Sequence, residues 1–299
     1  MTKRRGAAPC AAAGLSGRLL SRAESALLAL LLALCSPAPA APPAKIVLVA
    51  GTPSHGPGEH EFNAGSMLLA KCLRQNPGVD ATVVKGGWPA DDFLFETASS
   101  IVLYMDGGEH HPLLADDRLA KLGKLMKRGV GLACLHYAVE VPGDHGGMEL
   151  LEWIGGFYRR PYSQNPINDV ELTQTAPAHP ISRGWDTFRS TDEWYYRIVF
   201  HKDDNHGDNK DDKRLVPILT AMLPKDAPQQ ETVAWAVERA DGGRGFGFTG
   251  GHFHHNWGLE DQRRLVVNAI LWSAKVDIPA TGAKCDLTPE DLKANLDPK

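Results

Sequence analysis

The sequence predicts an α/β domain built on a mostly parallel sheet. Three observations carry this. The runs KIVLVA (45–50), IVLYM (101–105) and VGLACL (130–135) are continuously apolar, as strands buried on both faces are. Segments with helical apolar spacing stand between them, and the alternation of strand and helix builds right-handed parallel crossovers. Hydrophobic residues make up 43% of the 299 positions, enough for a large core, which excludes a wholly disordered chain.

Taken in order, Lys45–Ala50 is the first strand. Ala64–Gln75 is a helix with Met67, Leu68 and Cys72 on its apolar side and Asn63 as its N-cap. Asp80–Val84 and Ile101–Met105 are the next strands. Asp116–Arg128 is an amphipathic helix with Leu119, Leu122, Leu125 and Met126 on one face, and Val130–Leu135 is the fourth strand. The rhythm then breaks. Residues 156–231 are rich in Pro, Asn and Asp and read as a β-rich insertion of hairpin character, with Asp169–Thr173 and Tyr195–Phe200 as short strands. The run Asp203–Asp212 (DDNHGDNKDD) lacks the Gly and Glu spacing of an EF-hand loop, so a solvated hairpin tip is the better reading. Thr232–Glu238 and Gly245–Thr249 are late strands joined by an Asp241-Gly242-Gly243 turn. Asp261–Ser273 is the last helix. The domain spans 44–275, and a Pro-rich tail over 276–299 is expected along its surface.

Residues 1–40 read as an address. Lys3, Arg4, Arg5, Arg18 and Arg22 form a basic region, Ala26–Leu34 is apolar but too short to span a bilayer, and Ala38-Pro39-Ala40 offers a cleavage site. The expectation is an exported protein, periplasmic or secreted, with no membrane span after cleavage; the alternative is a retained anchor. Loss of five basic residues and one acidic residue takes the formal charge from -4 to -8. That balance argues against a nucleic-acid partner. Cys72, Cys134 and Cys285 remain, an odd number that predicts no disulfide framework.

The histidines point to function. Ligands in open parallel sheets bind beyond the carboxyl ends of the strands. Eight of the 12 histidines fall there: His55 and His60 after the first strand, His110 and His111 after the third, His136 after the fourth, and His252, His254 and His255 after the last. Glu59, Asp106, Tyr137 and Glu140 share those loops. Imidazoles and carboxylates together serve proton transfer or metal binding; the alternative is a polar loop surface. No cofactor motif is present. H-E-x-x-H is absent, and the Gly and Pro of His55-Gly-Pro-Gly-Glu59-His60 forbid the helix that H-x-x-E-H requires. A divalent metal held by several loops stays open. Gly51–Gly58 lacks the Lys-Ser/Thr of a phosphate loop, and there is no G-x-S-x-G. Trp88, Trp153, Trp194, Tyr195 and Trp257 lie in or beside loops where aromatic faces pack on sugar rings; ordinary packing is the better reading of Trp153, and Trp194 is expected as a site wall. Arg189 and Arg197 stand near Asp192 and Glu193 and could equally pair with them.

The segment Gly131–Ala138 (GLACLHYA) resembles the nucleophile elbow of class I glutamine amidotransferases. Either Cys134 or His136 stands at the turn. Tyr137-Ala138 favours His136, which leaves Cys134 buried and inert in the strand. With GTPSHGPGEH (51–60), CLHYAVEVP (134–142), HPISRG (179–184), DEWYY (192–196) and GFGFTGGHFHHNW (245–257), nearly the whole domain resembles the ThuA-like (trehalose utilisation) family of the class I glutamine amidotransferase-like superfamily. The resemblance implies a flavodoxin-like three-layer αβα sandwich. It also implies a His at the elbow, here His136, and places His252 where the amidotransferases carry theirs. Its context is the breakdown of 3-keto-disaccharides.

The expectation is therefore an enzyme that cleaves a glycosidic bond of a small 3-keto-sugar. His136 and His252 are the expected base and acid, and Glu193 or Asp106 the assisting carboxylate. His55, Glu59, His60, His111, Tyr137, Glu140, Asp192, Trp194, His254 and Asn256 are the expected substrate contacts. The competing classes are a noncatalytic sugar- or metal-binding module and a Cys134 amidase. The leader has its own test: in an exporting host the mature chain should begin at Ala41 by intact-mass measurement, and an exported chain that keeps residues 1–40 would sink the cleavage expectation.

Overall fold

The computed structural model describes residues 42–200 and 213–299. The expected leader, the acidic run 203–212, His201 and His206 lie outside the described residues. Strands β1 (Ala44–Ala50), β2 (Val79–Val84), β3 (Ser100–Tyr104) and β4 (Gly131–Leu135) alternate with helices α1 (Phe62–Leu73) and α2 (Arg118–Lys127). Helix α3 (Gly147–Ile154) follows, then β5 (Gly156–Phe157), β6 (Ile167–Gln174), β7 (Phe188–Glu193) and β8 (Val199–Phe200). The chain continues through β9 (Leu215–Leu223), β10 (Gln229–Glu238), β11 (Arg244–Phe248) and α4 (Glu260–Ser273).

Among the described residues, nine strands form one sheet in the order β2-β1-β3-β4-β11-β10-β9-β6-β7. The first five are parallel, and their order is that of a flavodoxin-like doubly wound sheet. The other four pair antiparallel. The insertion thus extends the sheet through β6, β7 and β9, while β5 and β8 form a separate two-stranded pair.

Strand alternation builds three layers. Ile46, Leu48, Val102, Tyr104, Ala133, Leu135, Phe246 and Phe248 face a core with α1 and α4. Val47, Val49, Ile101, Leu103, Leu132 and Cys134 face a second core with α2 and α3. Both faces are covered, which is why these strands read as unbroken apolar runs rather than as alternation. Each buried Leu or Ile contributes roughly 1.5–3 kcal/mol over its exposed state.

Some elements differ from the sequence reading. Helix α1 begins at Phe62, whose ring is buried in the core, and Glu61 stands at its N-cap position. Asn63 is inside the helix; its side chain instead donates to Asp297 (2.8 Å) and accepts from Gly86 N (3.0 Å). Within 195–200 only Val199–Phe200 is a strand, while Tyr196 makes one isolated bridge to Gln164. Helix α3 and strands β7 and β9 had no counterpart in the reading. Cys72, Cys134 and Cys285 are buried and unpaired. The tail packs back on the domain: Ile278, Ala283 and Cys285 are buried, and Lys71 pairs with Asp291 at 2.6 Å. No helix among the described residues is long and apolar enough to cross a membrane.

Two imidazoles hold the fold in a pH-dependent way. His111 Nδ1 accepts Leu113 N (3.0 Å) and its Nε2 donates to Ala138 O (3.2 Å); His179 Nδ1 accepts Ile181 N (3.2 Å). Each caps a short 3-10 turn and must be neutral at Nδ1 to do so. Burial lowers both to about 4, from an ordinary 6.5. The folded chain therefore binds fewer protons than the unfolded chain between those values. The stability they contribute is complete above pH 6.5 and is lost as pH falls toward 4. In urea titrations at pH 7 and 5, a His111→Asn/His179→Asn variant keeps both caps and should lose about 1–3 kcal/mol less than the wild type; equal losses would remove these residues from the acid response.

Candidate active site

The site lies beyond the carboxyl ends of the parallel strands. At the end of β4 the backbone of His136 takes a left-handed conformation (φ 54°) and enters a 3-10 turn over His136–Val139. That sharp turn lifts the imidazole to the top of the sheet. Cys134 stays two residues back in the strand, where burial raises its thiol far above the ordinary range. This is the geometry of an inert core cysteine. Gly107 lets the end of β3 approach the turn, since a Cβ there would lie 2.1 Å from Tyr137 O. Asp106 is thereby set beside it.

Four side chains meet here, three from the segments after β1, β4 and β11 and one from the last residue of β7. One ligand-type atom each from His60, His136, His252 and Glu193 lies within 4.8 Å of the others. His60 Nε2 is 3.0 Å from His136 Nε2. Glu193 Oε2 is 3.5 Å from His136 Nε2 and 3.5 Å from His252 Nδ1. His60 and His136 are almost wholly buried, and His252 is 5% exposed.

The outer atoms are tethered. His136 Nδ1 donates to Thr249 O at 2.9 Å. His60 Nδ1 faces Asp106 Oδ1 at 3.1 Å, and Ser54 Oγ donates to the same oxygen at 2.9 Å. His252 Nε2 faces Glu59 Oε1 at 3.8 Å. Asn165 Nδ2 donates to Glu193 Oε1 at 3.0 Å. Tyr195 places its hydroxyl 3.5 Å from His136 Nε2.

Burial sets the charge states. It lowers His60, drives His136 well below its ordinary range, and with the neighbouring His60 takes His252 to about 4. Burial pushes Glu193 up to about 7 despite hydrogen bonds from Tyr195 and Asn165. Burial also opposes ionisation of Asp106, but the bonds to His60 and Ser54 outweigh it and hold that carboxyl below its usual range. The cluster is therefore a set of neutral imidazoles with one carboxylate anchored behind.

The other expected residues fall into two groups. His55 stacks on His60 at 3.7 Å between ring centroids, and Tyr137 and Glu59 stand at the rim. Glu140 is buried and paired with Arg160 at 2.8 Å. The remainder lie beneath or away from the lining. Trp194 is fully buried against Phe248 in the core. His111 caps its turn, and His254 Nε2 is tied to Leu292 O in the tail. Asp192 is fully buried, and its oxygens accept Gly251 N (2.8 Å), His252 N (3.1 Å), Phe253 N (3.4 Å), Glu193 N (2.9 Å) and Asn256 Nδ2 (3.0 Å). Gly251, at φ 109°, turns the chain so that successive N–H groups point at one carboxylate. Burial pushes Asp192 up, and those donors act against it.

Asn165 and Ser54 were not among the expected residues, and Tyr195 was expected only as one of several aromatic faces for a sugar ring. In an extended segment neighbours face opposite ways, so only one of Trp194 and Tyr195 can face the site. The sequence does not say which. Asn165 and Ser54 sit in irregular loops that carry no periodicity.

A family model described as trehalose utilisation, ThuA, matches residues 46–273. Two solved structures share the fold. A ThuA-like protein of Bacteroides uniformis superposes with a TM-score of 0.60 at 15% identity, over 81% of this chain and 96% of that one. A ThuA-like protein of Parabacteroides merdae gives 0.56 at 14% identity, over 84% and 99%. No curated protein sequence matches the chain significantly.

The Asp192 arrangement generates a prediction. Asp192→Ala leaves four main-chain N–H groups and Asn256 without their buried acceptor, which should destabilise by about 2–4 kcal/mol. Thermal unfolding should show a fall of roughly 5–10 °C. An unchanged melting temperature would mean that the loop holds its shape without the carboxylate.

Proposed function

The chain belongs to the ThuA, or trehalose utilisation, family, and from that premise we propose that it is an exported carbohydrate-active enzyme cleaving a glycosidic bond of a small 3-keto-sugar. The observation that carries the reading is the convergence of His60, His136, His252 and Glu193 at one buried point beyond the strand ends. Groups able to take and return protons are held there within reach of a single substrate carbon. The family supplies the carbohydrate context, and the leader-like residues 1–40 support export.

The chemistry follows from a ketone at C3, which acidifies the neighbouring C2–H. A base takes that proton, and the electron pair enters the C2–C3 bond as an enolate. Collapse of the enolate restores the ketone, forms a C1–C2 double bond and expels the C1 oxygen, which takes a proton from an acid. Water then adds at C1, and C2 regains a proton. The net result is hydrolysis. The proton transfers belong to the cluster: His136 is the base, and Glu193, raised by burial to about 7 and 3.5 Å from both His136 and His252, holds the proton that is relayed beside His252 to the leaving oxygen. Asp106 keeps His60 oriented at 3.1 Å behind the pair.

The test is turnover. Wild-type protein should release 3-keto-glucose and glucose from 3-keto-trehalose and leave unoxidised trehalose intact. His136→Ala should lower kcat/KM by about 10²–10⁴-fold. Wild-type turnover by that variant would remove the cluster from the chemistry. Tight sugar binding with no product from any glycoside would favour a binding module.

A further inference from the structure

The histidine cluster has a feature that proton transfer does not account for. Consider where each ring proton sits. His136 Nδ1 lies 2.9 Å from Thr249 O, a group that can only accept, so the proton is on Nδ1 and a lone pair is on Nε2. His60 Nδ1 lies 3.1 Å from the Asp106 carboxylate, which likewise places its proton outward and its Nε2 lone pair inward. These two inward lone pairs face each other at 3.0 Å. Two acceptors at that distance repel unless something positive lies between them.

His252 shows the same pattern. Its Nε2 is directed at Glu59, 3.8 Å away, while its Nδ1 is buried, points into the cluster and has no hydrogen-bond partner. Glu193 has one oxygen occupied by Asn165 at 3.0 Å and turns the other, Oε2, inward. Three inward imidazole nitrogens, two of them fixed as lone pairs and the third without a partner, therefore converge with one carboxylate oxygen.

We propose that His60 Nε2, His136 Nε2, His252 Nδ1 and Glu193 Oε2 hold one divalent first-row transition-metal ion. The spacing fits. Two donors each about 2.1 Å from an ion lie about 3.0 Å apart at a right angle and about 3.4 Å apart at the tetrahedral angle; the separations here are 3.0, 3.5 and 3.5 Å. Three imidazoles and one carboxylate suit zinc, iron or manganese and do not suit calcium or magnesium, which prefer oxygen. Asp106, Thr249 O and Glu59 are the outer partners that orient ligating histidines. The site goes beyond the proposed reaction and stands without it. Where both hold, the inward nitrogens bind the ion instead of moving protons. Bound there, the ion would supply Lewis acidity toward the C3 carbonyl oxygen, and the proton transfers would fall to a carboxylate outside the ligand set, such as Glu59 at the rim.

The experiment is metal analysis of the mature full-length chain without sugar. Plasma mass spectrometry should find close to one equivalent of a transition metal per chain. After chelator treatment, adding Zn²⁺ should restore the metal and raise the melting temperature. His136→Ala should abolish that rise. Glu193→Gln, close in size and suited to the case in which the alanine variant does not fold, should weaken Zn²⁺ binding at least tenfold. Asp106→Asn, which touches no metal directly, should weaken it about 10–100-fold. Wild-type protein with under a tenth of an equivalent of any transition metal and no response to Zn²⁺ or Mn²⁺ overturns the proposal, even if it turns over 3-keto-trehalose. Stoichiometric metal lost in the variants, with no turnover of any 3-keto-glycoside, upholds the metal site and removes the reaction reading alone.

Discussion

The Asp192 carboxylate is the interaction on which the site depends. Strand β7 lies at the far edge of the sheet from the parallel strands, yet its end must come beside the end of β11 if Glu193 is to meet His252. Asp192 makes that junction. It takes the N–H groups of Gly251, His252 and Phe253 and the amide of Asn256, and so fixes the loop after β11 against the insertion. The next residue along the chain is Glu193. One buried anion thus sets the position of two cluster members from opposite sides, and its own burial is tolerable only because its oxygens are so fully engaged.

The surroundings then determine the character of the cluster. Imidazoles buried against the Phe62 and Tyr195 rings disfavour the charged form. The same low-polarity setting raises Glu193 and is outweighed at Asp106, where two hydrogen bonds intervene. Desolvation and hydrogen bonding thus divide carboxylates of similar intrinsic acidity into two populations. Which side a given group falls on is decided by its neighbours in space, most of them distant in sequence.

That distinction explains what the sequence could and could not reveal. The parallel strands were legible because burial on both faces leaves an unbroken apolar run, and the placement of His136 was legible because it immediately follows such a run. Helix α3, only eight residues long, and strand β9, with Pro217 within it, gave no clean period. Asn63 has the composition of a cap, but the burial of Phe62 starts the helix earlier. Trp194 and Tyr195 are adjacent, and the expected wall Trp194 lies in the core while Tyr195 meets His136, a difference of one residue in facing, which reverses every side chain in an extended segment. Asp192 could be noticed as a nearby acid. Its task as an acceptor of three successive amides depends on Gly251, 59 residues away.

The left-handed backbone at His55, His60 and His136 has a consequence for how such a site can change. Side chains other than Gly, Asn, Asp and His meet a steric penalty of roughly 1–3 kcal/mol in that conformation. Two of the three cluster imidazoles, His60 and His136, and the neighbouring His55 therefore also stand at bends in the path of the chain. An exchange of function at these positions has few routes open to it. The neighbours that tolerate the bend are glycine, which abolishes the side chain, and asparagine or aspartate, which bring an oxygen too short to reach the same point. Chemistry and chain geometry are coupled at the same three codons, so drift at either is restrained by the other.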